Sequence, residues 1–347
     1  MQETEHLVLY KELSFVFILI ISSSISFSQV YPNREVDSLL KKGISEIIRQ
    51  NYDSAKTDFK NLDEKFPQLP LGKIYLAADK IAQAYDYGIP FDKKFILKNL
   101  NDAIDQSKSL IEKSNNNVWH IYFLALSQGY YAYYEALNKN WISALNEGLN
   151  SISNFNKCLF LDSTFYEADL AIGTFKYWKS RKTEILKFLP VFKNEEAEGI
   201  ELLKIAINNS SYNKYLAMNS LIWIYIEQKK FSKAKYLAEY ALNEFPESRL
   251  FKWGLARCYE EDSTSKAIEV YFDILKSYNG KSLYNYILIN HIIAQQYCKI
   301  GKDKEALRLC NKILSIENIP KDLEDKLSKR IERVKILKRK LQEELSR

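Results

Sequence analysis

Four stretches of the chain share one skeleton about 34 residues long. Each carries a glycine or tyrosine on a first apolar-periodic segment and an alanine on a second, often with a proline after it. From 36 to 69 the marks are Gly43, Ala55, Phe59 and Pro67. From 215 to 248 they are Leu221, Tyr225, Ala234, Ala241 and Pro246. From 249 to 281 they are Trp253, Leu255, Tyr259 and Ala267, with about one residue fewer in the turn Glu261-Asp262-Ser263. From 287 to 320 they are Ile293, Tyr297, Gly301, Ala306 and Pro320. The spacing predicts two antiparallel helices per unit. They approach closely only where a small side chain faces the partner, and an aromatic one turn away fills the next gap. Proline cannot continue a helix and separates units. Such a unit cannot bury its apolar face alone, so neighbours must stack.

This pattern resembles the tetratricopeptide repeat. The resemblance implies an all-α helix–turn–helix solenoid, a right-handed superhelix, over 36–320. Its concave face would be lined by the first helix of each unit. The ligand-touching positions of the family fall here on Asn219 and Trp223, on Trp253 and Arg257, and on His291 and Gln295. Rings beside amide, imidazole and guanidinium donors suit an extended peptide. Trp223 and Trp253 serve equally well as core residues between helices. The Lys and Asn pattern with which some family members clamp acidic peptide tails is not evident.

The rest of the chain extends the helical reading. It is 46% hydrophobic, enough for a continuous core, with only 10 Gly and 7 Pro. Residues 70–208 read as divergent repeats: two long helices parted by Gly88-Ile89-Pro90, an aromatic helix from Asn117 to Leu137, and a partner from Trp141 to Leu159. A further pair follows, Tyr166–Lys182 and Glu195–Asn208, separated by the insert 183–194. Residues 321–347 read as one amphipathic helix with the stripe Leu323, Leu327, Ile331, Val334, Leu341 and Leu345. It is expected to cap the apolar end of the array; a basic lipid-surface helix or a coiled-coil seam are the alternatives.

Residues 1–28 read as a signal peptide. Lys11 precedes an apolar run from Leu13 to Ile21, and Ser26-Phe27-Ser28 before Gln29 resembles a cleavage site. The run is short for a membrane span. The expectation is export to the periplasm or beyond, with 29–35 as a short linker and an uncleaved anchor as the alternative. Glu3, Glu5 and Glu12 make this segment net negative, against the usual pattern. Net charge is +6, and the last 27 residues hold ten Lys/Arg against six Asp/Glu. No basic run with interleaved aromatics tracks a phosphate backbone, so nucleic acid is not an expected partner. Cys158, Cys258, Cys298 and Cys310 lack zinc-ligand spacing. They are expected as small buried apolar residues, although Cys298 and Cys310 share one unit and export permits a bridge.

No catalytic constellation is visible. His6, His120 and His291 are far apart, and no metalloprotease, nucleophile-elbow or phosphate-loop motif occurs. The acids Glu195, Glu196, Glu198 and Glu201 open a helix, where the dipole favours them. No metal, cofactor or enzymatic activity is expected. The expected function is an interaction scaffold of the bacterial envelope that binds a protein or peptide on its concave face. The alternative is a glycan or small-ligand module of an uptake system, with Trp119, Trp141 and Trp178 as stacking rings.

Overall fold

The structure is a computed structural model that describes residues 29–114, 116–182 and 194–346. The signal-like segment and most of the insert lie outside the described residues. Fifteen α-helices follow one another among these residues, with no strand. They form seven consecutive pairs. These are α1 (Arg34–Arg49) with α2 (Tyr52–Lys65), α3 (Leu71–Tyr87) with α4 (Lys93–Lys113), and α5 (Val118–Leu137) with α6 (Trp141–Leu161). Then come α7 (Asp169–Lys182) with α8 (Glu196–Asn209), α9 (Lys214–Glu227) with α10 (Phe231–Glu244), and α11 (Arg249–Asp262) with α12 (Thr264–Ser277). The last pair is α13 (Leu283–Lys299) with α14 (Asp303–Leu314), and a single helix, α15 (Lys321–Leu345), follows. Each helix packs on its sequence neighbours, which is the arrangement of a helical solenoid.

The local chemistry explains the boundaries. Gln50, Lys139 and Lys229 adopt left-handed backbone at φ 58, 65 and 57°, and Gly301 at 69°, to turn the chain within a pair. The pair α11–α12 has no such residue. Extended Ser263 alone joins its helices, which accounts for the short turn in that repeat. α13 starts a turn earlier than the repeat phase indicates, because the Ser282 hydroxyl accepts from the Asn285 N–H and caps the helix.

Small residues set the separation of the pairs. Phe59 lies over Gly43, and Ala55, Ala234, Ala241, Ala267 and Ala306 are fully buried. Gly173 of α7 and Gly199 of α8 meet backbone to backbone. A Cβ on Gly199 would stand 2.6 Å from the Gly173 carbonyl oxygen, and one on Gly173 would stand 2.8 Å from that of Gly199.

Tyrosines from successive first helices and from the segments before them converge on one aromatic cluster. Tyr31 packs edge-on to Trp119 with ring centres 5.3 Å apart, and Trp119 packs against Phe165 at 4.9 Å and Tyr212 at 6.2 Å. Tyr75 stacks on Phe59 at 5.0 Å and meets Tyr130 edge-on. The Tyr31 N–H donates to the Tyr212 hydroxyl (2.8 Å), which donates to Asp37 (2.6 Å). Within 29–35, expected as a linker, Tyr31 is bound to the body and α1 already begins at Arg34. At the centre, buried Glu167 accepts from the backbone N–H groups of Ser211 and Tyr212 and from Asn213 Nδ2. Burial outweighs these donors and pushes its pKa up to about 7.

A seam joins the first two pairs to the sixth and seventh. The Ser248 hydroxyl donates to the Ile48 carbonyl (2.7 Å), and the Arg249 N–H donates to Gln50 Oε1 (2.7 Å). The buried Arg249 guanidinium pairs with Asp86 and lies 4.5 Å over the Tyr278 ring, whose hydroxyl donates to the same carboxylate (2.9 Å). Asn285 Nδ2 donates to the Asp86 carbonyl (2.6 Å), and Lys326 Nζ donates to the Gly88 carbonyl (3.1 Å). Gly88 is left-handed at φ 69°, and any Cβ there would stand 2.4 Å from Tyr284. Residues up to 238 positions apart are thereby locked together.

The Gly173–Gly199 contact is the most sensitive of these features. Gly199→Ala is expected to lower unfolding free energy by about 2–4 kcal/mol, since two helix backbones must part. Gly148→Ala, whose Cβ would meet nothing closer than 3.8 Å, is expected to be neutral or to stabilise by about 0.5–1 kcal/mol. Urea denaturation followed by circular dichroism compares the two, and equal effects would contradict this account of the packing.

Candidate functional site

The six residues singled out from the sequence occupy two rows across α9, α11 and α13. Trp223, Arg257 and Gln295 hold one register position on three successive first helices. Trp223 is half-buried, while Arg257 and Gln295 are exposed. Arg257 pairs with Glu260, which also accepts from the Tyr271 hydroxyl (2.5 Å), so its guanidinium is held to its own helix. Asn219, Trp253 and His291 form the second row, one turn earlier, and sink progressively. Asn219 and Trp253 are half-buried, and Trp253 packs edge-on to Tyr271 with ring centres 5.7 Å apart. His291 is only 1% exposed.

α15 covers His291. It buries Leu323, Leu327, Val334 and Leu341 against the end of the array, as a cap does. It also brings Arg330 Nη1 to 3.2 Å from His291 Nδ1, while Nε2 has no partner among the described residues. Sequence reasoning had no signal for this contact, because the capping helix was read only through its apolar stripe. Burial first, and then the Arg330 and Arg333 charges, push the imidazole pKa down to about 4.

Other candidate groups prove to be engaged or inert. Glu195 pairs with Lys176 (3.0 Å) and Lys179 (2.6 Å), Glu198 with Lys176 (2.6 Å), and Glu201 with Lys204 (2.7 Å). The acids that open α8 thus bind lysines on α7 and on α8 itself. All four cysteines are free thiols, and burial pushes Cys158 up to about 12 and Cys258 and Cys310 up to about 11. None is poised as a thiolate. Among the described residues no group of three His, Cys, Asp or Glu could hold a metal ion, and no helix is long and apolar enough to cross a membrane. Of the rings considered for glycans, Trp119 is inside the aromatic cluster, Trp178 packs edge-on to Tyr177 at 5.2 Å, and only Trp141 stands open.

Two clefts of about 500 Å³ mark the described surface. One lies at the seam, between Arg49–Ser54 and Asn279–Lys281. Two of its cations have partners: Arg249 is on Asp86, and Arg49 lies 4.8 Å over Phe245. The other lies on the outer side, between α12 and α14.

His291 supplies a pH test. Held neutral when folded, against an ordinary value of 6.5 when unfolded, it contributes stability above about pH 6.5 that is lost as pH falls through 4. The wild type is expected to lose up to about 3 kcal/mol more than His291→Gln between pH 7 and pH 4. Thermal melts of both proteins across that range measure the difference, and parallel pH profiles would contradict the assignment.

No protein-family model and no curated protein matches the sequence. Solved structures do resemble the fold. A thermophilic tetratricopeptide-repeat protein of Thermus thermophilus is 15% identical and covers 64% of this chain and 98% of its own, with a TM-score of 0.40. A tetratricopeptide-repeat protein of Parabacteroides merdae is 14% identical and covers 89% and 100%, with a TM-score of 0.36. Yeast Tom70 is 14% identical and covers 91% and 67%, with a TM-score of 0.42. At these identities the likeness concerns fold alone, and the assignment rests on the chain's own repeat phase and helix pairing. The described residues form an all-α solenoid of consecutive helix pairs, and the sequence period that builds it resembles the tetratricopeptide repeat.

Proposed function

We propose that the chain is a non-catalytic scaffold of the cell envelope that binds a protein or peptide partner across α9, α11 and α13. The row Trp223, Arg257 and Gln295 carries this reading. A ring, a guanidinium and an amide recur at one register position, each offering solvent a different kind of contact. An extended chain laid across the row would bury apolar groups on the indole and meet donors for its carbonyls or carboxylates. The signal-like residues 13–28 support the envelope assignment.

Affinity capture from envelope fractions tests both parts. The wild type is expected to retain a partner that the double variant Trp223→Ala/Gln295→Ala loses by tenfold or more, whereas Tyr236→Ala, exposed on a second helix, leaves binding unchanged. A partner held equally by all three would remove the proposed row. Intact mass of the protein from cells should correspond to a start at Gln29, and a full-length mass from the cytosolic fraction would refute export.

A further inference from the structure

The outer cleft between α12 and α14 has a composition that the inner row lacks. Phe272 and Leu275 of α12 and Leu309 of α14 make its floor apolar, and Phe272 is 38% exposed. Asn290 of α13 lies beneath them and is itself 1% exposed. Its Nδ2 donates to the Tyr286 carbonyl (2.7 Å). Lys276, Arg308 and Lys312 stand around the rim. None of the three has a carboxylate within ion-pair distance among the described residues. Asp273, one turn before Lys276, is taken by Lys252 of α11 at 2.6 Å. Lys312 Nζ lies 5.3 Å over the Tyr286 ring.

An apolar floor bordered by three cations that have no carboxylate partner among the described residues selects by charge as well as by shape. A basic or neutral segment would leave the cations uncompensated, and a purely acidic one would leave the floor wet. We propose that this outer groove binds an acidic amphipathic segment of a protein partner, with apolar side chains on Phe272, Leu275 and Leu309 and carboxylates on Lys276, Arg308 and Lys312. The volume of about 500 Å³ suits two or three large side chains. The cleft draws its lining from α12, α13 and α14, a surface shared by two repeats along which a helical or extended segment can lie. This surface is separate from the inner row, so each stands or falls by its own variants.

The test is display of random 15-residue peptides on the purified full chain, with counter-selection on Lys276→Glu/Arg308→Glu/Lys312→Glu. These three residues are exposed, and circular dichroism verifies that the variant folds. Selected peptides are expected to combine Leu or Phe with two or more Asp or Glu. As fluorescein conjugates, they should bind at least tenfold more weakly to Arg308→Glu/Lys312→Glu and to Phe272→Ser, and equally well to Trp223→Ala. Affinity should also fall steeply with salt. Peptides without acidic enrichment, no peptide surviving counter-selection, or binding lost in Trp223→Ala but kept in the groove variants would each overturn the proposal. So would preferential binding of phosphatidylglycerol vesicles over the selected peptides, since the groove would then serve a lipid surface.

Discussion

Backbone contact between paired helices is the constraint on which the rest of the structure depends. Helices bearing large side chains pack 8–10 Å apart, and closer approach requires that a side chain be absent. At Gly173 and Gly199 each would-be Cβ falls within 2.8 Å of the other helix's carbonyl oxygen. Elsewhere a buried alanine or a glycine under a phenyl ring serves the same end. The chain also meets itself, since residues of its first two pairs are hydrogen-bonded to its sixth and seventh.

The enclosed ring cluster changes the meaning of the aromatic residues. In a wide solenoid, tyrosines on first helices would face a groove. Here Tyr75, Tyr122, Tyr130 and Tyr212 face one another around Glu167, and their hydroxyls find partners or burial inside. The seam at Asp86 and Arg249 closes the circuit. It does so with a guanidinium that is ion-paired, stacked and desolvated at once, an arrangement that arginine supports better than lysine.

Much of the fold was legible in the sequence, and much less of the site. The repeat phase placed α1–α2 and α9 to α14, and proline and glycine placed the breaks around α3 and α4. Apolar spacing alone marked α15, including four leucine or valine positions that it buries. The register rows of the proposed site were also readable, because they follow from the same period. Their exposure was not. His291 and Gln295 are one turn apart on α13, yet one is enclosed by α15 and the other is open. Nothing local to either residue records where a helix some 40 positions later will lie.

The sequence by itself determined the helices, their pairing and their stacking, because each depends on side chains a few residues apart: a small residue, an aromatic one turn on, a helix-breaking proline. Only the tertiary structure decided that the first two pairs would meet the sixth and seventh, which tyrosines would be enclosed, and that α12, α13 and α14 would leave a cation-rimmed groove. Those outcomes bring together residues as much as 238 positions apart, so no local pattern encodes them.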